Sequence, residues 1–249
     1  MKAKLIAYTK VPKIYEGELA DCGIESIQDL VAFCARVSNP NNQNNSKTTG
    51  KLLDYLIKHK HWSPFEMASA TIEVETTRDI ARQFLRHRSF SFQEFSQRYA
   101  DPNELDKTFV HREARLQDKS NRQNSIYTDD EELKKAWWWK QDQIIHEAKM
   151  AYKWAIENGI AKEVARAVLP EGNTLSKLYV NGTIRSWIHY IELRTSEETQ
   201  KEHILLAREC AYAISRIFPA IEQYIAKDCL LYTSPSPRDQ RGSGLPSSC

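Results

Sequence analysis

Ile72-Glu73-Val74-Glu75-Thr76-Thr77-Arg78-Asp79-Ile80-Ala81-Arg82-Gln83-Phe84-Leu85-Arg86-His87-Arg88 changes its hydrophobic period part-way along. Up to Thr76, Ile72 and Val74 alternate with Glu73 and Glu75, the two-residue period of a strand with one face covered, and a strand is predicted over residues 67–76. From there Ile80, Ala81, Phe84 and Leu85 return every three or four residues, as on one face of a helix, and Thr76 or Thr77 supplies a hydroxyl to cap its start. A strand running directly into a helix, within a chain whose other apolar residues mostly recur at helical spacing, predicts a mixed α/β fold in which helices dominate.

The far end of that helix delivers Arg86-His87-Arg88-Ser89-Phe90-Ser91-Phe92-Gln93-Glu94-Phe95-Ser96-Gln97-Arg98-Tyr99, with three arginines, a histidine, a glutamate and serines among four aromatic rings. Guanidinium groups offer a rigid fork of donors that matches phosphate and carboxylate oxygens, and the rings are suited to stack on a flat heterocycle. Gln83 lies three and four residues before Arg86 and His87, so it shares their helix face. For the Arg-His-Arg triplet alone, the plainer reading is a helix end whose cations satisfy the last carbonyls. After Arg88 the chain is expected to leave the helix.

Toward the N-terminus, residues 4–9 form a first short strand ended by Pro12. Ile27, Leu30, Val31, Cys34 and Val37 mark a helix stopped by Asn39-Pro40, residues 41–46 a polar loop, and Leu52, Leu53, Leu56 and Ile57 a second helix ending near His59-Lys60-His61. Toward the C-terminus, residues 101–127 are polar and without period, an excursion over the surface. Asp129-Asp130-Glu131-Glu132 puts acids at the positive end of a long helix running to Asn158-Gly159. Its consecutive Trp137, Trp138 and Trp139 cannot all face one way, so at least one ring belongs at an edge or a subunit contact. A short helix over 162–169 stops at Pro170, a strand over 175–180 ends at an Asn181-Gly182 turn, and Ile184, Trp187, Ile188 and Ile191 mark a helix carrying Arg185, His189 and, at or beyond its end, Arg194. Thr195-x-x-Glu198 reads as a capping box for a last helix through Ala207, Cys210, Ala211, Ile214, Ile217 and Ile221.

Composition bounds the function. The 249 residues can bury the core of one domain, and 41% hydrophobic with 27% charged residues fits a globular chain. Lys+Arg 35 against Asp+Glu 33 leaves a net charge of +2, which argues against a general nucleic-acid binder and makes any anion site local. Five scattered cysteines, Cys22, Cys34, Cys210, Cys229 and Cys249, form neither a Cys-x-x-Cys pair nor a disulfide framework, and no signal peptide or long apolar span occurs, so a cytoplasmic protein is expected. No His-Glu-x-x-His or cysteine cluster points to a metal. From Cys229, Ser, Pro and Gly dominate, so the folded domain is expected over residues 1–228 and a disordered tail over 229–249. That tail resembles the conceptual translation of a sequencing-library adapter, an assembly artefact in place of the natural end; a genuine flexible tail is the alternative.

The full pattern Arg86-His87-Arg88, seven residues, Ser96-x-Arg98 resembles the signature of the flavin-dependent thymidylate synthases. Ala35-Arg36-Val37-Ser38, His59-x-His61-x-Ser63-Pro64-Phe65-Glu66, Ala81 to Arg88, Ala165-Arg166-Ala167-Val168-Leu169-Pro170 and Arg185-x-Trp187-x-His189 to Leu193-Arg194 are similar to further family blocks in the same order. The resemblance implies an α+β, helix-rich single domain with a small, mostly antiparallel sheet and long helices, assembled as a homotetramer with shared active sites. It implies reductive methylation of deoxyuridine monophosphate (dUMP) to thymidylate, with methylenetetrahydrofolate as carbon donor, FAD as hydride carrier and NADPH as reductant. By the same resemblance Gln83, Phe84, Leu85, Arg86, Glu94, Phe95, Ser96, Gln97, Arg98, Arg166 and Arg194 bind dUMP, with Arg98 and Arg166 on its phosphate. Ser63, Arg86, His87, Arg88, Glu94, Thr183, Ile184, Arg185 and His189 line the FAD site, and His61 lies near flavin and folate as a catalytic candidate. Gln93 stands where many members have asparagine, and Glu198 where some have histidine.

The chemistry has its own logic. Uracil C5 must become nucleophilic, and a cation fixed against the pyrimidine favours negative charge on N3 and its neighbouring oxygens; Arg194 is the candidate. No cysteine lies in a block that would make it a nucleophile, and Ser96 has no recognisable His-acid pair beside it. Read singly, Arg166 caps its helix, Arg194 pairs with Glu197 or Glu198, and His59 and His61 are surface imidazoles. A non-catalytic module holding a nucleotide or single-stranded nucleic acid through the basic-aromatic stretch is the competing class.

Overall fold

The computed structural model describes residues 1–10, 24–101 and 108–224; Cys22 and the tail from Cys229 lie outside them. Strand β1 (Lys2–Tyr8) pairs with β2 (Ser69–Thr77), β2 with β6 (Leu175–Thr183), and β6 with β3 (Phe90–Glu94), all antiparallel, in the order β1-β2-β6-β3. The alternation in β2 settles its faces: Ala70, Ile72 and Val74 are buried, while Glu73 and Glu75 lie opposite Tyr179 and Lys177. Lys2 reaches Glu75 at 2.9 Å and Lys177 lies 3.7 Å from it, so the outer face carries cross-strand ion pairs.

Helices cover the apolar face. β2 runs into α3 (Arg78–Phe84), β6 into α6 (Ile184–Arg194), and α7 (Lys201–Ser215) packs behind them; earlier come α1 (Ile27–Ala35) and α2 (Thr49–Lys58). Ile72, Val74, Leu178 and Val180 of the sheet meet Phe84, Trp187, Ile191, Leu206 and Ile214 in one core. Ser26 caps α1 with Asp29 answering as a capping box, and Thr183 caps α6 by accepting from Ser186 N at 3.2 Å.

Four expectations need correction. Asn181-Gly182 is not a turn: β6 continues through it, with Gly182 opposite both Ala70 and Phe90. The glycine is there for space, since a Cβ would lie 2.4 Å from a ring carbon of Phe90. Thr195 does not open the last helix; its hydroxyl donates back to the Ile191 carbonyl at 2.8 Å, closing α6, and α7 begins only after Gln200. That helix ends at Ser215, and Ile221 falls in a separate 3-10 turn, Pro219–Tyr224, because proline opens the segment. The polar excursion contains a hairpin, β4 (Arg115–Gln117) with β5 (Ser125–Tyr127), while Phe109 bridges to Thr174 beside the main sheet.

The acidic run does start a long helix. Asp130 accepts from Leu133 N at 2.9 Å, α4 spans Glu131–Glu157, and Gly159 follows at φ 76°, the left-handed conformation that ends a helix. Trp137, Trp138 and Trp139 on α4 are 43%, 44% and 62% exposed. The expected short helix resolves into α5 (Lys162–Ala165) and a 3-10 turn over Arg166–Val168. No helix among the described residues is long and apolar enough to cross a membrane.

Candidate active site

The turn after α3 sets the site. His87 N donates to Phe84 O at 2.9 Å and Phe90 N to His87 O at 3.3 Å, so the chain reverses within six residues and enters β3. Ser186 at the start of α6 donates to Ser89 O at 3.1 Å and pins the loop. Phe84 is fully buried, stacked on Tyr190 at 4.2 Å. Tyr190 and Arg194 are four residues apart and therefore on one side of α6, which aims Arg194 at the loop. Its Nε donates to His87 Nε2 at 2.9 Å, not to Glu197 or Glu198. An accepting Nε2 places the ring proton on Nδ1 and leaves His87 neutral; burial, then Arg194 and Arg86, push its pKa down to about 4. Burial also lowers Arg194, with Arg86 acting in the same direction and Tyr190 opposing. Arg86 and Arg88 are exposed and form no ion pair with a described residue.

A second group lies along β3. Glu94 accepts from Ser176 Oγ at 2.9 Å and from the buried Arg78 at 3.3 Å, so its carboxylate is fixed between two strands and α3. Phe95 N continues the ladder to Lys177 O, and Tyr99 N and Ala100 N both close on Ser96 O at 3.0 Å. Gln97 is buried, and its Nε2 has no partner among the described residues. Beyond this turn Arg98 meets the Glu163 carboxylate at 3.5 Å, while Arg166 donates to the Glu163 carbonyl at 3.3 Å. Two arginines far apart in sequence thus meet around one residue of α5.

A third group surrounds the start of α6. Ser63 opens a 3-10 turn, Ser63–Glu66; Ile184 N donates to Ala68 O at 2.9 Å and Arg185 to Glu66 Oε1 at 2.5 Å, so turn and helix are joined. Trp62 packs edge-on against His189 at 4.5 Å, next in sequence to both His61 and Ser63. Burial, then Arg185, lowers the pKa of His189, with Glu192 opposing. His61 is exposed after Lys60, whose φ of 57° turns the chain out of α2.

Residues 24–220, which contain all three groups, match the family model described as thymidylate synthase complementing protein. The chain belongs to that family. A probable flavin-dependent thymidylate synthase of Paramecium bursaria Chlorella virus 1 is 50% identical over 221 residues, 89% of this chain and 97% of that one. The flavin-dependent thymidylate synthase of Synechocystis sp. is 46% identical over 220 residues, 88% and 94% of the two chains. Among solved structures, a UMP/dUMP methylase, PolB from Streptomyces cacaoi bound with 5-Br dUMP, superposes with a TM-score of 0.69 at 25% identity over 90% of this chain and 93% of its own.

In this flavin-dependent thymidylate synthase family member, the fold gathers the expected residues into three groups: Gln83, Arg86, His87 and Arg194; Glu94 to Arg98 with Arg166; and His61, Ser63, Thr183, Arg185 and His189. The side chains of Phe84 and Ile184 are fully buried, so only their backbones are available to a ligand. Gln93 and Glu198 are exposed. Among the described residues, no three His, Cys, Asp or Glu side chains gather as metal ligands.

Sequence reasoning missed the layer beneath the first group. Gln83 Nε2 donates to Gln200 Oε1 at 2.8 Å, and Gln83 Oε1 accepts from Nδ1 of the fully buried His203 at 3.1 Å. Burial, then Arg194 and His87, push the His203 pKa down to about 3, and its Nε2 has no partner among the described residues. An unsatisfied buried acceptor costs about 1–3 kcal/mol. Gln200 donates onward to Glu202 at 2.9 Å, and Glu202 lies 3.0 Å from Arg112 and 2.8 Å from Arg115. Burial, which raises the Glu202 carboxyl, is outweighed by those arginines, which hold it below its ordinary value. The legible signal was weak: His203 sits on an apolar helix face and reads as core.

Proposed function

We propose that the chain converts dUMP to thymidylate by reductive methylation, with methylenetetrahydrofolate as carbon donor, FAD as bound hydride carrier and NADPH as reductant. The observation that carries this reading is the partly buried Arg194 cation held by the neutral ring of His87 at 2.9 Å, next to a nucleotide-type cluster of arginines. A cation fixed in advance, in a site shielded from water, stabilises negative charge as it develops on the pyrimidine and so raises electron density at C5. Arg194 would do this, with Gln83 to Arg86 and Glu94 to Arg98 orienting the base and sugar, and Arg98 and Arg166 forking onto the phosphate. Glu163 occupies both arginines; a dianionic phosphate competes for the same donors.

The residues also suit FAD. Arg86 and Arg88 are exposed cations suited to a pyrophosphate, and Ser63, Thr183, Arg185 and His189 line one turn-and-helix junction with Trp62. His61, at the edge of that junction, is the candidate residue beside flavin and folate. Bound FAD supplies hydride transfer, and the chain's own residues supply orientation and electrostatics. No cysteine nucleophile is invoked: of the described cysteines, Cys210 is fully buried with its thiol pushed far up by burial, and Cys34 is raised by burial as well. The exposed tryptophans of α4 favour a subunit contact, consistent with a homotetramer. We place the enzyme in the cytoplasm and its folded domain within residues 1–228.

The visible spectrum of the purified protein tests the reading first: oxidised flavin makes it yellow. NADPH oxidation and thymidylate formation in the presence of dUMP and methylenetetrahydrofolate complete the test. A colourless protein that neither takes up FAD nor oxidises NADPH with dUMP would sink it in favour of the nucleic-acid-binding alternative.

A further inference from the structure

His203 is a buried imidazole without a place in the chemistry above. It lies 5.7 Å from the ring of Tyr190 and 6.3 Å from that of Phe84, in the layer beneath the His87–Arg194 contact. Packing alone does not account for it, because an aliphatic side chain would fill the space without orphaning Nε2. What the imidazole adds is one directional hydrogen bond, to Gln83.

The polarity of the chain Glu202, Gln200, Gln83, His203 is fixed from one end. A carboxylate paired with Arg112 and Arg115 only accepts, so Gln200 must turn its Nε2 to Glu202 and its Oε1 to Gln83. Gln83 must then give Nε2 to Gln200 and turn its Oε1 to His203, whose Nδ1 carries the proton. Flipping any one amide would set donor against donor or oxygen against oxygen. The carbonyl of Gln83 is therefore committed inward, and the polarity it has left is one N–H of Nε2.

We propose that His203 is a positioning residue which, with Gln200, holds Gln83 as a hydrogen-bond donor toward the nucleotide base, so that the site accepts a carbonyl at ring position 4 and opposes an amino group there. Uracil carries that carbonyl and cytosine the amino group. The inference rests on Gln83 facing the nucleotide, as the proposed function has it. Without the imidazole, the Gln83 carbonyl loses its inward partner and the amide is held by Gln200 alone, so it can swing its oxygen toward the base, and discrimination between the bases falls while charge, phosphate grip and flavin contacts stay in place.

The test is calorimetric binding of dUMP and dCMP to the full, FAD-loaded chain. His203→Leu should reduce the dUMP-over-dCMP preference by about tenfold, the order of one hydrogen bond's contribution, with FAD occupancy unchanged. His203→Asn, which keeps an amide donor near the Nδ1 position, should restore most of it. Gln200→Met breaks the same chain on the surface side and should repeat the loss should the leucine variant fail to fold. A folded, flavin-loaded His203→Leu or Gln200→Met protein with the full preference would overturn the proposal. Failure of the unaltered chain to bind dUMP or FAD would instead strike the proposed function, and unchanged preference in Gln83→Leu would remove the premise that Gln83 meets the base.

Discussion

Arg194 donates through Nε to Nε2 of His87 at 2.9 Å, which uses one edge of the guanidinium for anchoring, while its two terminal nitrogens bond to no other described residue. For the proposed role of Arg194 a neutral partner matters: a carboxylate would cancel the charge that this role requires. Arg194→Ala should therefore abolish thymidylate formation while FAD stays largely bound. Near-normal turnover would remove Arg194 from the catalytic role.

The two neutral histidines give the fold an acid limit. His87 titrates near 4 and His203 near 3, against an ordinary value of 6.5. Between about 6.5 and 4 the unfolded chain takes up these protons and the folded protein does not, so stability is complete above that window and falls as the pH drops through it. Thermal unfolding followed from pH 7 to pH 4 should show this loss, and His203→Leu should show a shallower one. Identical slopes would mean that other groups dominate acid unfolding.

Arg98 meets the carboxylate of Glu163 and Arg166 its backbone carbonyl. As paired phosphate donors each should matter mainly for binding: Arg166→Ala should raise the KM for dUMP by about 10- to 100-fold, the range of one charge-assisted hydrogen bond, with a smaller change in kcat. Deoxyuridine, without the phosphate, should lose affinity in the unaltered protein and show little further response to the mutation. Equal sensitivity of the two ligands would argue against phosphate contact.

Gly182 and Phe90 lock β3 onto β6. A Cβ at 182 would come within 2.4 Å of the Phe90 ring, which is itself wedged 4.7 Å from Trp187 and cannot swing away. Gly182→Ala should cost about 1–3 kcal/mol of stability through overpacking. In a Phe90→Leu background the same alanine should cost clearly less, and equal costs in the two backgrounds in chemical unfolding would contradict the steric account.

These pairs explain what could and could not be read from the sequence. The period change at Thr76–Thr77 is local, so β2 and α3 were legible, and the Arg86 to Arg98 pattern carries its chemistry within a dozen positions. Asn181-Gly182 reads as a turn to any local rule, because the reason for its glycine is a ring 92 positions away in the chain. Strand β3 was signalled by Phe90 and Phe92 alternating with Ser91 and Gln93, but five residues are too few to separate a strand from a loop rich in rings. His203 was invisible because its partner Gln83 is 120 residues away and a lone histidine on an apolar face reads as core. Thr195 misled because a threonine hydroxyl serves a helix end as well as a helix start.

Arg112 ties the polar excursion to the catalytic layer, and its loss should be felt in both. Its guanidinium meets Thr77 and Asp79 at 2.6 Å, the Gly172 carbonyl at 3.1 Å and Glu202 at 3.0 Å, while its backbone exchanges hydrogen bonds with the Gln141 side chain. Glu202 is the acceptor that fixes the Gln200–Gln83 polarity, so Arg112 holds that polarity at its source. Arg112→Ala should lower the free energy of unfolding by about 3 kcal/mol, the low end for breaking a buried ion pair because Arg115 still faces Glu202. Arg112→Lys should recover only part of this, since a single ammonium cannot reach the start of α3, the Gly172 carbonyl and Glu202 together. Urea unfolding midpoints measure both variants, and a lysine variant as stable as the unaltered protein would show that charge alone, not the fork, holds the clamp.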